Sequence, residues 1–275
     1  MIPLHDENRT HLTPWISRII VGICVAVFLW QLSLTGDAQE LAVWRFGMVP
    51  AFLNGAATPH PDIGALWPPL TLITSAFLHG DVMHILGNML YLWVFGDNVE
   101  DAMGHWRFVV FYVLCAIAAA LSQMLVDPGA TTPMIGASGA IAGVLAGYLL
   151  IFPRSRVVLG IPVIFMLIPV RLPAVLVIGF WIALQVFNVV DGGDEGVAWY
   201  AHIGGFAAGL VLTPLLKTGR HKLFGPAADF APGPISRRAA MKIVRPAPAS
   251  SPEGPAATSG FPDAGAPYRR RGPWG

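Results

Sequence analysis

Charge is scarce in this 275-residue chain. Only 12% of its residues are Asp, Glu, Lys or Arg, and the formal net charge is +1. A balance so close to neutral offers no basic footprint, so nucleic acid is excluded as a partner. Cysteine is scarcer still. Cys24 and Cys115 are the only two, and both fall inside apolar stretches, which argues against a disulfide framework and leaves the redox compartment unread. No HExxH sequence occurs, and no Cys or carboxylate joins His79 and His84 at ligand spacing within an apolar stretch. A metal held by those two histidines is therefore the weaker alternative, and no metal or cofactor is expected. A cleavable leader is not expected either: the first apolar run is longer than a signal h-region, no convincing small-residue cleavage site follows it, and it reads as a retained anchor.

What the chain has instead is apolar length. Hydrophobic residues make up 55% of it and the mean hydropathy is +0.61, the composition of a polytopic membrane protein. The expected fold class is all-α, with six transmembrane helices at about 16–34, 83–99, 106–126, 137–152, 172–190 and 197–216. The fourth is only about 24 Å long at ~1.5 Å per residue, short for a bilayer. Residues 1–15 form a short polar segment, and 37–81 a connection too aromatic for a solvated linker. Within it, 43–53 are expected to lie at the membrane interface. Residues 96–106 read as a polar turn containing Asp97, Glu100 and Asp101. Residues 157–170 are apolar but carry Gly160, Pro162 and Pro169, so they are expected to form an interfacial hairpin or re-entrant piece, not a span. Residues 191–196 form an acidic loop, and 217–275, rich in Pro, Ala, Gly and Ser, an expected disordered tail. Basic residues orient the bundle. With both termini cytoplasmic, Arg9, Arg18, Arg107, Arg154, Arg156, Arg171, Lys217, Arg220 and Lys222 fall inside, and only Arg45 falls outside.

Polar residues in such a chain are costly and functional by default. Spans two, four and six run the same way, and each carries polar residues near its outer end: His84 and Asn88, Ser138, and His202. Similar depth predicts one polar chamber. Ser138 stands in Gly136-Ala137-Ser138-Gly139 at a helix start, where free N–H groups suit an oxyanion. It reads as a nucleophile or as a small packing residue, and its company favours the first. His202 is the candidate base. Span six holds no Asp or Glu to orient it, which points to a dyad, not a triad. His84 and Asn88, four apart on one helical face, are candidate oxyanion donors together with the Ser138 N–H; satisfied packing is the alternative. Gly139, Gly143 and Gly147 repeat every four residues, as do Gly205 and Gly209. These glycines predict close backbone packing between spans four and six.

At these residues the sequence resembles the rhomboid family of intramembrane serine proteases. The pieces are His79-Gly-Asp-Val-Met-His84-Ile-Leu-Gly-Asn88, Gly136-Ala-Ser138-Gly139 and Ala201-His202-Ile-Gly-Gly205-Phe-Ala-Ala-Gly209. They follow in family order, within a resemblance that covers roughly residues 18–216. It implies Ser138 as nucleophile, His202 as base, His84 and Asn88 as oxyanion partners, and Glu100 as a structural acid. Trp44-Arg45 resembles a pair in the family's first loop, to which no role is transferred. One departure stands out: the position four residues after the serine, aromatic in some members, is Ala142. His202 then needs other support, and Trp199 and Tyr200 are the candidates.

The expected activity is endoproteolysis of transmembrane protein substrates near the outer face of the lipid bilayer, in a bacterial plasma membrane. The 191–196 loop would cap the site and span five would gate it. Two rivals remain: a non-catalytic rhomboid-fold binding protein, and a small transporter, which would need repeat symmetry the chain does not display. Substrate identity and oligomeric state are not legible.

Overall fold

The computed structural model describes residues 2–63, 66–163, 166–192 and 197–225. Chain contacts group residues 1–230 into one unit and 231–275 into a second, which lies outside the described residues. So do residues 193–196 of the expected cap and most of the expected tail.

Apolar runs punctuated by Pro and Gly give the element order. Strand β1 (Ile2–Asp6) precedes α1 (Trp15–Ser33), then α2 (Asp37–Phe46), α3 (Pro50–Leu53), α4 (Thr71–Thr74), α5 (Val82–Met103), α6 (His105–Val126) and α7 (Ser138–Ile151). Strands β2 (Arg156–Val163) and β3 (Met166–Pro173) come next, followed by α8 (Ala174–Val190) and α9 (Trp199–Leu216). Among the described residues, α1, α6 and α9 are long and apolar enough to cross a membrane. Residues 68–77 and α5, bent by 84° at their junction, make a possible fourth, and α7 and α8 are apolar but shorter.

The expected all-α class needs a correction. Residues 157–170 do form a hairpin, but a β-hairpin, and β1 adds to it as a third, antiparallel strand in the order β1-β2-β3. Val157, Val158 and Val163 favour extended backbone, and Pro162 and Pro169 forbid a helix. Pro162 is tolerated in the central strand because the pairing with β1 reaches only to Gly160. The polar segment 1–15 is therefore part of the fold. Asp6 Oδ2 accepts from the Tyr148 hydroxyl at 2.6 Å and from Asn98 Nδ2 at 2.9 Å, tying β1 to α7 and α5. Burial pushes the Asp6 carboxyl up to about 6.

The expected polar turn at 96–106 is also corrected. Helix α5 continues through it to Met103, and the chain turns only at Gly104, whose φ of +80° suits glycine. Glu100 is consequently buried. Its two oxygens accept from the N–H groups of Ile16 (3.0 Å) and Ser17 (2.8 Å) and from the Ser17 hydroxyl (2.7 Å), and His105 Nδ1 lies 2.6 Å away. An anion thus sits on the unpaired N–H groups opening α1, where Pro14 supplies no side-chain cap. Glu100→Ala strands these donors. We expect a loss of ~3 kcal/mol or more, read as a lower melting temperature in detergent. Turnover per folded molecule should be unchanged, because Glu100 lies roughly 24 Å along α5 from His84 at ~1.5 Å per residue.

Helices α5, α7 and α9 end together. Thr218 N–H bonds the Ala102 carbonyl and Phe224 N–H bonds the Leu150 carbonyl. Their N-terminal ends therefore point the same way, although α5, α7 and α9 differ in length at 22, 14 and 18 residues.

Candidate active site

The polar residues converge near the N-terminal ends of these helices. Ser138 is the first residue of α7, so its N–H and the next two lie outside the helical ladder, whose first bond runs from Ile141 N–H to the Ala137 carbonyl. His202 stands in the first turn of α9, and its Nε2 lies 2.8 Å from Ser138 Oγ.

Glycine makes this approach possible. A Cβ on Gly205 would collide with the Gly139 carbonyl oxygen, and one on Gly209 would meet Gly143 Cα at 2.7 Å. A Cβ on Gly143 would meet Cys115 Cβ at 2.7 Å and the Gly205 oxygen at 3.1 Å. The two small-residue rows therefore pack backbone to backbone, as their spacing predicts, and α6 fills the third side.

His84 enters from α5. Asp81 caps that helix by accepting the His84 N–H at 2.9 Å, and Gly80 N–H donates to His84 Nδ1 at 3.3 Å. With Nδ1 accepting, the neutral ring carries its proton on Nε2. That atom faces the serine: a Cβ added to Gly136, at φ +122°, would stand 2.6 Å from His84 Nε2 and 3.7 Å from Ser138 Oγ. Asn88 sits one turn deeper, buried, with Nδ2 lacking a hydrogen-bond partner among the described residues. His84 thus lines the same cavity as Ser138 with its Nε2 donor unpaired among the described residues, while Asn88 is one turn further along α5 and does not contribute to the cavity lining. His79 does not join them. It is buried behind His84, ring centroids 5.1 Å apart, with its backbone clasped by the Gln31 side chain at 3.1 and 3.2 Å. No group of three or more metal-ligating side chains forms among the described residues.

Ser138, His202, His84, Gly136, Met134 and Ser75 line a cavity of about 390 Å³. Its wall explains the long first connection. Met48 and Met134 exchange backbone hydrogen bonds at 2.8 and 3.0 Å, and Gly136 N–H donates to the Ser75 carbonyl at 2.9 Å. The segment expected at the membrane interface therefore straps the loop that delivers Ser138, with α2 and α3 as two separate helices around the strap.

Support for His202 comes partly from where the sequence suggested. Trp199 meets the imidazole edge-on at 6.0 Å, whereas Tyr200 makes no ring contact with it. Two partners on α8 were missed: Trp181, 5.8 Å from the ring, and Gln185, whose Oε1 lies 2.8 Å from Nδ1. A buried glutamine in an apolar helix was the available signal.

The family model for the rhomboid domain matches residues 66–218, a span that contains His84, Asn88, Ser138, Gln185 and His202. The chain belongs to the rhomboid family. Similar proteins include the mitochondrial rhomboid protein 1 of Saccharomyces cerevisiae, 29% identical over 220 residues, which cover 76% of this chain and 55% of the yeast protein. Rhomboid protease GlpG of Klebsiella pneumoniae is 28% identical over 216 residues, 76% of this chain and 66% of that protein. Rhomboid protease GluP of Bacillus subtilis is 27% identical over 154 residues, 56% of this chain and 27% of that protein. This rhomboid thus spans about half the length of its yeast relative. It is an integral membrane protein. The expected bacterial plasma membrane is not supported, because the similar rhomboids include mitochondrial ones.

Proposed function

We propose that this rhomboid is an intramembrane serine endopeptidase that cuts transmembrane-anchored proteins near the outer membrane face. The observation that carries this reading is the 2.8 Å contact between Ser138 Oγ and His202 Nε2 at the wall of a cavity. In the proposed reaction, Ser138 Oγ bonds to the scissile carbonyl carbon while His202 Nε2 takes the hydroxyl proton. The carbonyl oxygen becomes an oxyanion, met by the Ser138 N–H and by donors on His84 and Asn88. Its collapse breaks the C–N bond, and the leaving nitrogen takes the proton from His202. Water then cleaves the acyl-serine by the same steps in reverse order.

The proposed layout has six spans, counting α1, α5, α6, α7, α8 and α9; the expected domain bounds of 16–216 are too narrow, because β1 and residues 217–225 pack on the same unit. Both termini are proposed to be cytoplasmic, and residues 217–225, expected from the sequence to be tail, instead pack on the domain through the bonds from Thr218 and Phe224. Labelling of the reconstituted protein by a fluorophosphonate, together with cleavage of single-span substrates, tests the reading. A rhomboid-fold binding protein, or a transporter, would show neither.

Asn88→Ala separates an oxyanion role from a packing role. An oxyanion donor acts only as charge develops, so kcat should fall ~10²–10³-fold with KM little changed. Slower probe labelling should accompany the loss. An unchanged kcat per folded molecule, with a lowered melting temperature, would assign Asn88 to packing.

A further inference from the structure

Helix α8 is buried along a thin stripe. Its buried residues are Ala174, Ile178 and Gln185, spaced four and then seven apart and hence on one helical face. Two of them are simple packing residues. The third is an amide, costly in an apolar setting unless its polar atoms are used. Both ends are used. Nε2 donates to the Trp181 carbonyl at 3.0 Å, one turn earlier on the same helix. Oε1 lies 2.8 Å from His202 Nδ1.

The first bond decides the meaning of the second. Because the NH₂ end is committed to Trp181, the carbonyl end is the one that meets the imidazole. An amide oxygen only accepts, so the proton between them belongs to Nδ1. A neutral imidazole protonated on Nδ1 has its lone pair on Nε2, the atom 2.8 Å from Ser138 Oγ. Nothing else described near the ring supplies this. Trp181 and Trp199 touch it with aromatic faces and edges, and an indole offers a donor but no acceptor. Ala142 has no side chain that can reach.

We infer that Gln185 is a positioning residue for the proposed reaction, holding His202 in the tautomer and orientation in which Nε2 can take the serine proton. The inference rests on the Ser138–His202 reading. It makes the third member of the array a neutral amide from a neighbouring helix, where the sequence of span six pointed to a dyad. The amide oxygen also faces Nδ1 while Nε2 is protonated, so its dipole is already aligned with the positive charge that develops on the ring.

The test uses the full-length protein in reconstituted membranes. Gln185→Met keeps length and apolar packing but removes the amide acceptor. Gln185→Glu keeps the shape and the acceptor. For Gln185→Met we expect kcat and the rate of fluorophosphonate labelling to fall ~10- to 100-fold, with KM and melting temperature close to wild type. Gln185→Glu should recover most of the lost rate and shift the acid limb of the kcat–pH profile, because the acceptor on Nδ1 now carries charge. Wild-type kcat and labelling in Gln185→Met would overturn the inference. So would a loss that follows the melting temperature and is not recovered by Gln185→Glu. Ser138→Ala and His202→Ala run alongside: residual cleavage in either would instead sink the dyad reading itself.

Discussion

Ser138→Ala is expected to abolish cleavage and probe labelling together, with the protein still folded and inserted. The change removes one oxygen from a half-buried side chain at a cavity wall, so it creates no large void and breaks no helix contact. What it removes is the atom that bonds to the carbonyl carbon. A loss of kcat on the order of 10⁶-fold, to background, is the scale set by serine hydrolases in which nucleophile and base act as a unit. His202→Ala should produce a similar loss, because a hydroxyl without a base is a weak nucleophile. Cleavage of a single-span substrate in liposomes, with melting temperature as the control for folding, measures both. Near-normal turnover in either variant would remove the catalytic reading and leave a binding protein on the same scaffold.

The second large effect is expected at the contact between α7 and α9. In Gly205→Val the new Cβ would collide with the Gly139 carbonyl oxygen, an atom of rigid backbone that no rotamer change can move aside. The helices must separate, which should cost more than the ~1–3 kcal/mol typical of an overpacked core. Separation also pulls His202, three residues earlier on α9, away from Ser138. Melting temperature and activity should fall together. Gly22→Val in α1 is the matched control, since a Cβ there meets nothing within 4 Å. Retained stability and turnover in Gly205→Val would show that the backbones are not in the contact that aligns the site.

The conversion of sequence into site was direct where the membrane made composition expensive. Ser138, His202, His84 and Asn88 stood out because polar groups in apolar helices need a reason. Helix direction led to the expectation that they lie at similar depth. The glycine rows on α7 and α9 showed which helices touch, since a four-residue period of small side chains has one face. Glu100 was flagged only through family resemblance, and its task of capping α1 depends on two helix ends that meet across 83 residues of chain.

Other features were decided only by tertiary contact. Residues 2–6, Ile-Pro-Leu-His-Asp, are too short and contain a proline, so they do not announce a strand, and β1 exists because β2 offers it an edge. The strap between Met48 and Met134 joins two loops whose local sequences say nothing of each other. Gln185 is the sharpest case. Its sequence neighbours show a polar residue in an apolar helix, but not which end of its amide is free or what that end faces. That depends on the Trp181 carbonyl one turn away and on α9 packing alongside. Apolar periodicity and the cost of buried polarity are local properties, which a sequence states by itself. Hydrogen-bond direction and the tautomer it selects belong to pairs of groups, and they come into being only when the helices meet.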